Sequence, residues 1–189
     1  VPGIAATVVV PLIVPALLVF WIRRHVPEAA LMIVGGGPYR RRLERLIEKT
    51  GQARNVVLTG SVETEHLPAF YAAADVFAMP CRTRNGGLDV EGLGIVYLEA
   101  SATGVPVIAG NSGGAPDAVV EGRTGFVVDG ESPAASAVRI VELLRDPHLA
   151  QAMGASGREW IETAWRWPQI ASRLTDMLEG VDPDAVKVG

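Results

Sequence analysis

The sequence predicts an α/β fold in which a parallel β-sheet is flanked by helices, within one domain. Short apolar runs alternate with polar-faced segments of helical length from residue 26 onward, which is typical of strand–helix units around a parallel sheet. Glycines follow the apolar runs, as in Gly35 to Gly37, where a strand must turn sharply into a helix. Of the 189 residues, 49% are apolar, which is enough for one substantial core.

Aliphatic runs bounded by turn residues identify the strands. The predicted strands are residues 30–34, 56–58, 76–79, 106–109 and 125–128. Periodic apolar positions identify the helices, as in Leu43, Leu46 and Ile47, which share one stripe of a charged segment that Gly51 ends. The predicted helices are residues 39–50, 66–74, 95–103, 117–120, 133–145, 148–163 and 169–178. Residues 180–189 lack periodicity and are predicted to be a loose tail.

Residues 1–22 form an atypical apolar segment. Nineteen residues, 4–22, carry no charge and are followed by Arg23 and Arg24, a length that can span a bilayer. Two prolines interrupt the run, and residues 8–10 have the pattern of a buried strand before a helix over 17–24. An incomplete strand–helix unit and a membrane-like run or signal remnant both stay open. Because the chain starts with Val1, we expect a piece of a longer protein or a processed terminus.

Charge and cysteine content exclude several classes of function. Seventeen basic and twenty-one acidic residues give a net charge of −4, which argues against a nucleic-acid groove dominated by phosphate contacts. The single cysteine, Cys81, excludes an internal disulfide and a zinc site built from cysteine pairs. A reducing compartment, and so a cytoplasmic location, is expected.

Ligands of open α/β sheets bind at the carboxyl ends of the strands. The candidate loops therefore follow Gly35, Gly60, Pro80 and Gly110. Residues 81–94 form the longest of them, about fourteen residues, which favours a functional role.

Two glutamates frame the end of that loop. Glu91 precedes the glycines Gly92 and Gly94, and Glu99 lies eight residues after Glu91, inside the helix that follows. Such an arrangement can hold hydroxyls on the carboxylates and a pyrophosphate on the N–H groups of the helix start. Glutamates near a helix start are also favoured by the helix dipole alone, so an ordinary solvated or capping role stays open.

The segment from Glu91 to Glu99, with residues 104–109 and Gly113-Gly114 after it, resembles the E-x7-E signature of glycosyltransferase family 4, retaining enzymes of the GT-B fold. Residues 34–37, 57–60 and 74–80 match the same family in order and spacing. Residues 82–97 most resemble the actinobacterial phosphatidylinositol-mannoside mannosyltransferases that use GDP-mannose.

The resemblance implies a single Rossmann-like domain over residues 23–179, the nucleotide-sugar donor-binding half of a GT-B enzyme. Glu91 would be the catalytic candidate, binding hydroxyls of the donor hexose, and Glu99 would hold the ribose. The backbone amides of the intervening helix start would face the pyrophosphate. The residues implied there are Gly92, Leu93, Gly94, Ile95 and Val96. Gly60, Val62 and Leu67 would contribute to the base pocket. No metal or other cofactor is expected.

The implied activity is transfer of mannose from GDP-mannose to a phosphatidylinositol-type glycolipid, at the inner face of the plasma membrane. The implied partner is an N-terminal acceptor-binding domain, absent from this chain. Residues 5–11 carry no charge, although the family has a basic pair there that contacts the diphosphate. The alternative is therefore a catalytically inactive nucleotide-binding fragment. A nicotinamide-binding protein is disfavoured, because Arg40 occupies the position of the third glycine in G-x-G-x-x-G.

Overall fold

The computed structural model describes residues 7–8 and 14–180. Its strands are β1 (Thr7–Val8), β2 (Leu31–Val34), β3 (Val56–Gly60), β4 (Phe77–Met79), β5 (Val107–Gly110) and β6 (Gly125–Val128). They form one sheet in the order β3-β2-β1-β4-β5-β6, and every neighbouring pair is parallel. The predicted parallel sheet is confirmed, and each of the five strands predicted after residue 26 is present with bounds shifted by at most two residues.

Seven helices connect and cover the strands in the described residues. They are α1 (Val14–Arg23), α2 (Arg40–Lys49), α3 (Leu67–Ala72), α4 (Ile95–Ala102), α5 (Pro133–Arg145), α6 (Pro147–Ala164) and α7 (Trp167–Leu178). The helix predicted over residues 117–120 is wrong in place and type, because Ala115–Ala118 forms one 3₁₀ turn instead. Pro116 stands at the start of that turn, where its fixed φ suits a helical turn and its missing N–H costs no hydrogen bond.

The sheet separates two apolar cores. Successive strand residues point to opposite faces, so Phe77 and Val107 enter one core while Ala78 and Ile108 enter the other. The first core also contains residues of α3 and α4, and the second contains residues of α1, α5 and α6. Strands buried on both faces are apolar without alternation, which is why short apolar runs predicted them.

Helix α1 belongs to the second core. It packs against α5, and its side chains Leu18, Val19 and Ile22 are buried. The Arg145 guanidinium at the end of α5 donates two hydrogen bonds, of 2.8 and 3.2 Å, to the carbonyl of His25. Residues 14–22 of the atypical apolar segment are therefore part of the folded unit. Residues 1–6 and 9–13, which include most of the predicted first strand, lie outside the described residues.

No helix among the described residues is long and apolar enough to cross a membrane. The apolar run that suggested a span continues through α1, which is ten residues long, about 15 Å at 1.5 Å per residue.

Helix α6 fixes the position of α4 through two glycines. A Cβ atom on Gly154 would lie 2.0 Å from the carbonyl oxygen of Gly104, and one on Gly157 would lie 3.4 Å from Ser101. The two helices therefore approach closely along this line. This packing holds the last turn of α4 and the turn after it against α6.

The last helix is exposed on one side. Trp167 is 81% exposed and Leu178 is 79% exposed, whereas the half-buried rings of Trp160 and Trp165 meet edge to face, 5.6 Å apart. Residues 181–189 of the predicted tail lie outside the described residues.

Candidate functional site

The strand order creates a crevice at the centre of the sheet. Strands β1 and β4 are neighbours, and chain connections leave them in opposite directions, to β2 on one side and to β5 on the other. Ligands of doubly wound folds bind at such a switch point, beside the carboxyl ends of the strands. The long loop over residues 81–94 follows β4 and so lies at this position. Residues 9–13, after β1, are outside the described part of the chain, and so is most of the uncharged stretch at residues 5–11.

Helix α4 begins in this crevice with a glycine. Gly94 precedes the helix with φ +73°, a left-handed conformation that favours glycine. A Cβ atom at Gly94 would also lie 2.3 Å from the Tyr97 ring. No side chain caps this helix start, so its first N–H groups, near Ile95 and Val96, point out of the helix without an intrahelical acceptor. This end can bind an anion.

The backbone of Glu91 is held by the loop that follows β5. The N–H of Gly114 donates to the Glu91 carbonyl at 3.1 Å, and the N–H of Glu91 donates to the Ser112 hydroxyl at 3.5 Å. The Ser112 hydroxyl, which is buried, also lies 3.0 Å from the Thr83 hydroxyl. The loops after β4 and β5 are therefore joined beside Glu91, whose own side chain is half-buried.

Two glycines permit this contact. A Cβ atom on Gly113 would lie 1.9 Å from the Glu91 carbonyl oxygen, and one on Gly114 would lie 2.1 Å from the Gly92 carbonyl oxygen. Any larger residue would force the loops apart. This glycine pair is part of the family pattern in the sequence, whereas no motif or spacing points to Ser112 and Thr83.

Glu99 lies in the second turn of α4, eight residues after Glu91 and on an exposed face. Its Oε2 atom accepts a hydrogen bond of 2.8 Å from the hydroxyl of Tyr71, on α3. Burial raises the pKa of Tyr71, and the hydrogen bond to Glu99 raises it further. Tyr71 could not be predicted as a partner of Glu99 from the sequence, because 28 residues separate the two.

An apolar cavity of about 170 Å³ opens beside Glu99. It lies between the end of β2, helix α3 and helix α4. Its lining residues are Val34, Leu67, Phe70, Tyr71, Phe77, Val96 and Glu99. Three residues of the predicted site, Leu67, Val96 and Glu99, thus meet around one cavity.

The other two residues of the predicted base pocket lie next to the glycine-rich turn after β2. Gly60 ends β3 with φ +76° and its carbonyl accepts a 3.0 Å hydrogen bond from the N–H of Gly35. Val62 follows in the turn and is half-buried. A Cβ atom on Gly36 would lie 2.7 Å from the Ser61 hydroxyl, so the turns after β2 and β3 are in contact along the same edge of the sheet.

The side chain of Tyr97 attaches helix α4 to the end of strand β4. It is fully buried, and its hydroxyl donates to the Met79 carbonyl at 2.6 Å and lies 3.3 Å from the Cys81 sulfur. Burial raises the pKa of Tyr97, as does its hydrogen bond to Cys81. This side chain ties the first turn of α4 to the end of β4.

The rest of the long loop is largely exposed. Arg84 and Asp89 form an exposed ion pair at 2.8 Å, and Leu88 between them is 91% exposed. An exposed pair of this kind contributes little to stability, of order 0–1 kcal/mol. Across residues 7–8 and 14–180, no group of three or more His, Cys, Asp or Glu side chains is arranged to hold a metal ion.

Comparison with known proteins agrees with the fold and the motif. The chain is 60% identical over 161 residues to a GDP-mannose-dependent alpha-(1-6)-phosphatidylinositol monomannoside mannosyltransferase of Mycobacterium tuberculosis, covering 85% of this chain and 42% of that protein. It is 52% identical over 153 residues to the GDP-mannose-dependent monoacylated alpha-(1-6)-phosphatidylinositol monomannoside mannosyltransferase of Corynebacterium glutamicum, covering 81% and 39%. The chain thus spans about two fifths of the length of these relatives.

Solved structures show the same architecture. Sucrose-phosphate synthase from Thermosynechococcus elongatus superposes with a TM-score of 0.77 at 27% identity, covering 95% of this chain and 46% of that one. Anabaena HepE in complex with UDP superposes with a TM-score of 0.78 at 20% identity, covering 94% and 49%. Residues 16–160 match the family described as glycosyl transferases group 1. With more than half of its residues in that match, the chain belongs to this family.

Proposed function

We propose that this chain is the donor-binding half of a retaining mannosyltransferase that moves mannose from GDP-mannose to a phosphatidylinositol-type glycolipid. One observation carries the proposal: Glu91 and Glu99 frame the uncapped start of α4 at the sheet's central crevice, in a chain 60% identical to an enzyme named for that donor and lipid.

The chemistry assigned to this half is electrostatic. When the bond between the sugar and the diphosphate breaks, negative charge grows on the diphosphate. Backbone N–H groups from Gly92 to Val96 and the positive end of the α4 dipole stabilise that charge. Their positions are set before the ligand arrives, by Gly94 at the helix start and by the Tyr97 hydroxyl below it, so little reorganisation is needed during the reaction.

The carboxylates bind the two sugars at either side of the diphosphate. Glu91, whose backbone is held by Ser112 and Gly114, accepts hydrogen bonds from hydroxyls of the hexose. Glu99 accepts from the ribose hydroxyls, and the base occupies the edge formed by Leu67, Gly60 and Val62. The donor binds without a metal ion, since this set of amides and the helix dipole supplies the positive potential. Titrations in EDTA are expected to give an unchanged affinity.

The lipid acceptor binds outside this chain in the proposed enzyme. The relatives are longer than the region that this chain matches, and an N-terminal acceptor-binding domain at the membrane surface completes the cleft.

Calorimetric titration of the 189-residue chain tests the donor assignment. We expect saturable binding of GDP-mannose, weaker binding of UDP-glucose, and a loss of GDP-mannose affinity in Glu99→Ala. Each lost charge-assisted hydrogen bond contributes about 1.5–3 kcal/mol, or roughly 10- to 150-fold in affinity. Glu159→Ala is the matched control, since Glu159 is exposed on α6. Absence of heat at millimolar GDP-mannose would contradict the proposal that this chain binds the donor.

A further inference from the structure

The contact between Tyr71 and Glu99 joins two helices at the rim of the cavity. Tyr71 is only 7% exposed, whereas Glu99 lies on an exposed face of α4. The tyrosine hydroxyl donates to Oε2 of the glutamate at 2.8 Å. Both side chains line the 170 Å³ cavity, so the hydrogen bond lies where a ligand in that cavity would meet Glu99.

The tyrosine ring is fixed by its neighbours. It meets the Phe77 ring edge to face at a centroid distance of 5.4 Å, and Phe77 meets Tyr97 in the same manner at 6.1 Å. Phe77 and Tyr97 are at most 1% exposed. Because these neighbours hold the Tyr71 ring in place, its hydroxyl is a donor at a fixed position. The hydrogen bond therefore forms only when the Glu99 side chain adopts the rotamer that reaches this hydroxyl.

A carboxylate has about four acceptor positions on two oxygens. Tyr71 occupies one position on Oε2 and thereby sets the plane of the carboxylate. The other positions can accept from two neighbouring hydroxyls of one ligand. Burial raises the pKa of Tyr71, so the hydroxyl keeps its proton, and acts only as the donor in this pair, at neutral pH.

A glutamate on an exposed helix face otherwise samples several rotamers. Ordering such a side chain on binding costs conformational entropy. The hydrogen bond to Tyr71 lowers this cost before the ligand binds, since it selects one orientation in the free protein.

We propose that Tyr71 is a positioning residue that orients Glu99 for recognition of the ribose diol, so that the pair selects nucleotides carrying ribose hydroxyls over those that lack them. The inference rests on the proposed function, since it assigns Glu99 to the nucleotide's sugar. Its consequence is specific: loss of the Tyr71 hydroxyl weakens binding only of ligands that have the diol.

The test compares dissociation constants for GDP and 2′,3′-dideoxy-GDP, measured by calorimetry on the 189-residue chain. The wild type is expected to prefer GDP by at least about tenfold, since the diol donates charge-assisted hydrogen bonds to the Glu99 carboxylate that the dideoxy ligand cannot make. Tyr71→Phe is expected to reduce this preference several-fold with the affinity for the dideoxy ligand unchanged. In a Glu99→Ala background the preference is lost, and adding Tyr71→Phe changes nothing further.

Tyr97→Phe is the matched control. It removes one hydroxyl from another buried tyrosine, whose partner is the Met79 carbonyl. Because Tyr97 lies under the amides assigned to the diphosphate, which both ligands carry, this variant is expected to lower the melting temperature and to weaken both ligands by the same factor, so that the preference for GDP is kept.

Three results would overturn the inference. Unchanged affinities for both ligands in Tyr71→Phe would overturn it and leave the proposed function standing. Equal weakening of both ligands would show a purely structural role for Tyr71. Failure of the wild-type chain to bind GDP would overturn the proposed function, and the inference with it.

Discussion

Gly113 and Gly114 let the loop after β5 touch the loop that carries Glu91. Because these glycines have no Cβ atom, carbonyl oxygens of the neighbouring loop occupy the space that a Cβ atom would need. The Gly114 N–H uses this closeness to donate to the Glu91 carbonyl. The position of a candidate binding residue thus depends on two residues that present no functional group of their own.

Gly114→Ala is expected to destabilise the fold by about 1–3 kcal/mol, because its Cβ would lie 2.1 Å from the Gly92 carbonyl oxygen and relieving this overlap requires the backbones of two joined loops to shift. The same change should weaken GDP binding, since Glu91 and Gly92 must shift. Urea unfolding and calorimetry measure the two effects.

Gly37→Ala is the matched control for stability. A Cβ atom there meets nothing within 4 Å, so the free energy of unfolding should change by no more than about 0.5 kcal/mol. Equal stability of Gly114→Ala and the wild type would contradict the close approach of the two loops.

At the scale of elements, the position of α4 depends on α6, which packs against the last turn of α4. Asp146 caps α6 by accepting from the Leu149 N–H at 3.0 Å, and Pro147 occupies its first turn. The helix then passes close to Gly104, at the end of the turn that follows α4. A helix that carries no predicted site residue therefore holds in place the helix whose first turn forms the candidate anion site.

Gly154→Ala and Gly157→Ala are expected to act in opposite directions. At Gly154 the new Cβ would lie 2.0 Å from the Gly104 carbonyl oxygen, so the free energy of unfolding should fall by about 1–3 kcal/mol. At Gly157 the nearest atoms lie at 3.4 Å, so the gain in helix propensity, up to about 1 kcal/mol, should dominate. Urea unfolding of both variants checks this, and a loss at Gly157 as large as at Gly154 would contradict the packing described.

At the scale of the whole molecule, buried tyrosines make the stability sensitive to alkaline pH. Burial raises the pKa of Tyr71 and Tyr97 above the ordinary value of about 10. Below pH 10 both the folded and the unfolded chain keep these protons and the full stability is present. Above pH 10 the unfolded chain loses protons that the folded chain retains, so the free energy of unfolding falls as the pH rises.

The expected slope is up to about 1.4 kcal/mol per pH unit for each tyrosine above pH 10. Tyr97→Phe should remove its share of the slope while lowering stability at pH 8 by about 0.5–1.5 kcal/mol, because the hydrogen bond of the Tyr97 hydroxyl to the Met79 carbonyl is lost while that carbonyl keeps the Cys81 N–H as a donor. Urea unfolding from pH 8 to pH 11 measures both effects. An identical slope in Tyr97→Phe and the wild type would show that Tyr97 does not keep its proton in the folded state.

Most of the fold could be predicted from the sequence. Apolar runs such as Val107–Gly110 and turn glycines such as Gly51 mark their elements locally, so bounds agree within two or three residues for most elements. The 3₁₀ turn Ala115–Ala118 was misplaced because four residues carry too little periodicity to locate a helix, and Pro116 then decided where the turn begins.

The sequence alone determined that a parallel sheet forms, because the periodicity of strands and helices is a local property. It also determined that Glu91, Glu99 and the helix start between them lie at the carboxyl edge of that sheet, because they belong to a motif only nine residues long. Only the tertiary structure decided which distant groups hold these residues. Tyr71 reaches Glu99 across 28 positions, and Ser112 reaches Glu91 across 21. Such pairs are set by strand order and helix packing, which bring remote segments together at distances that no local pattern encodes.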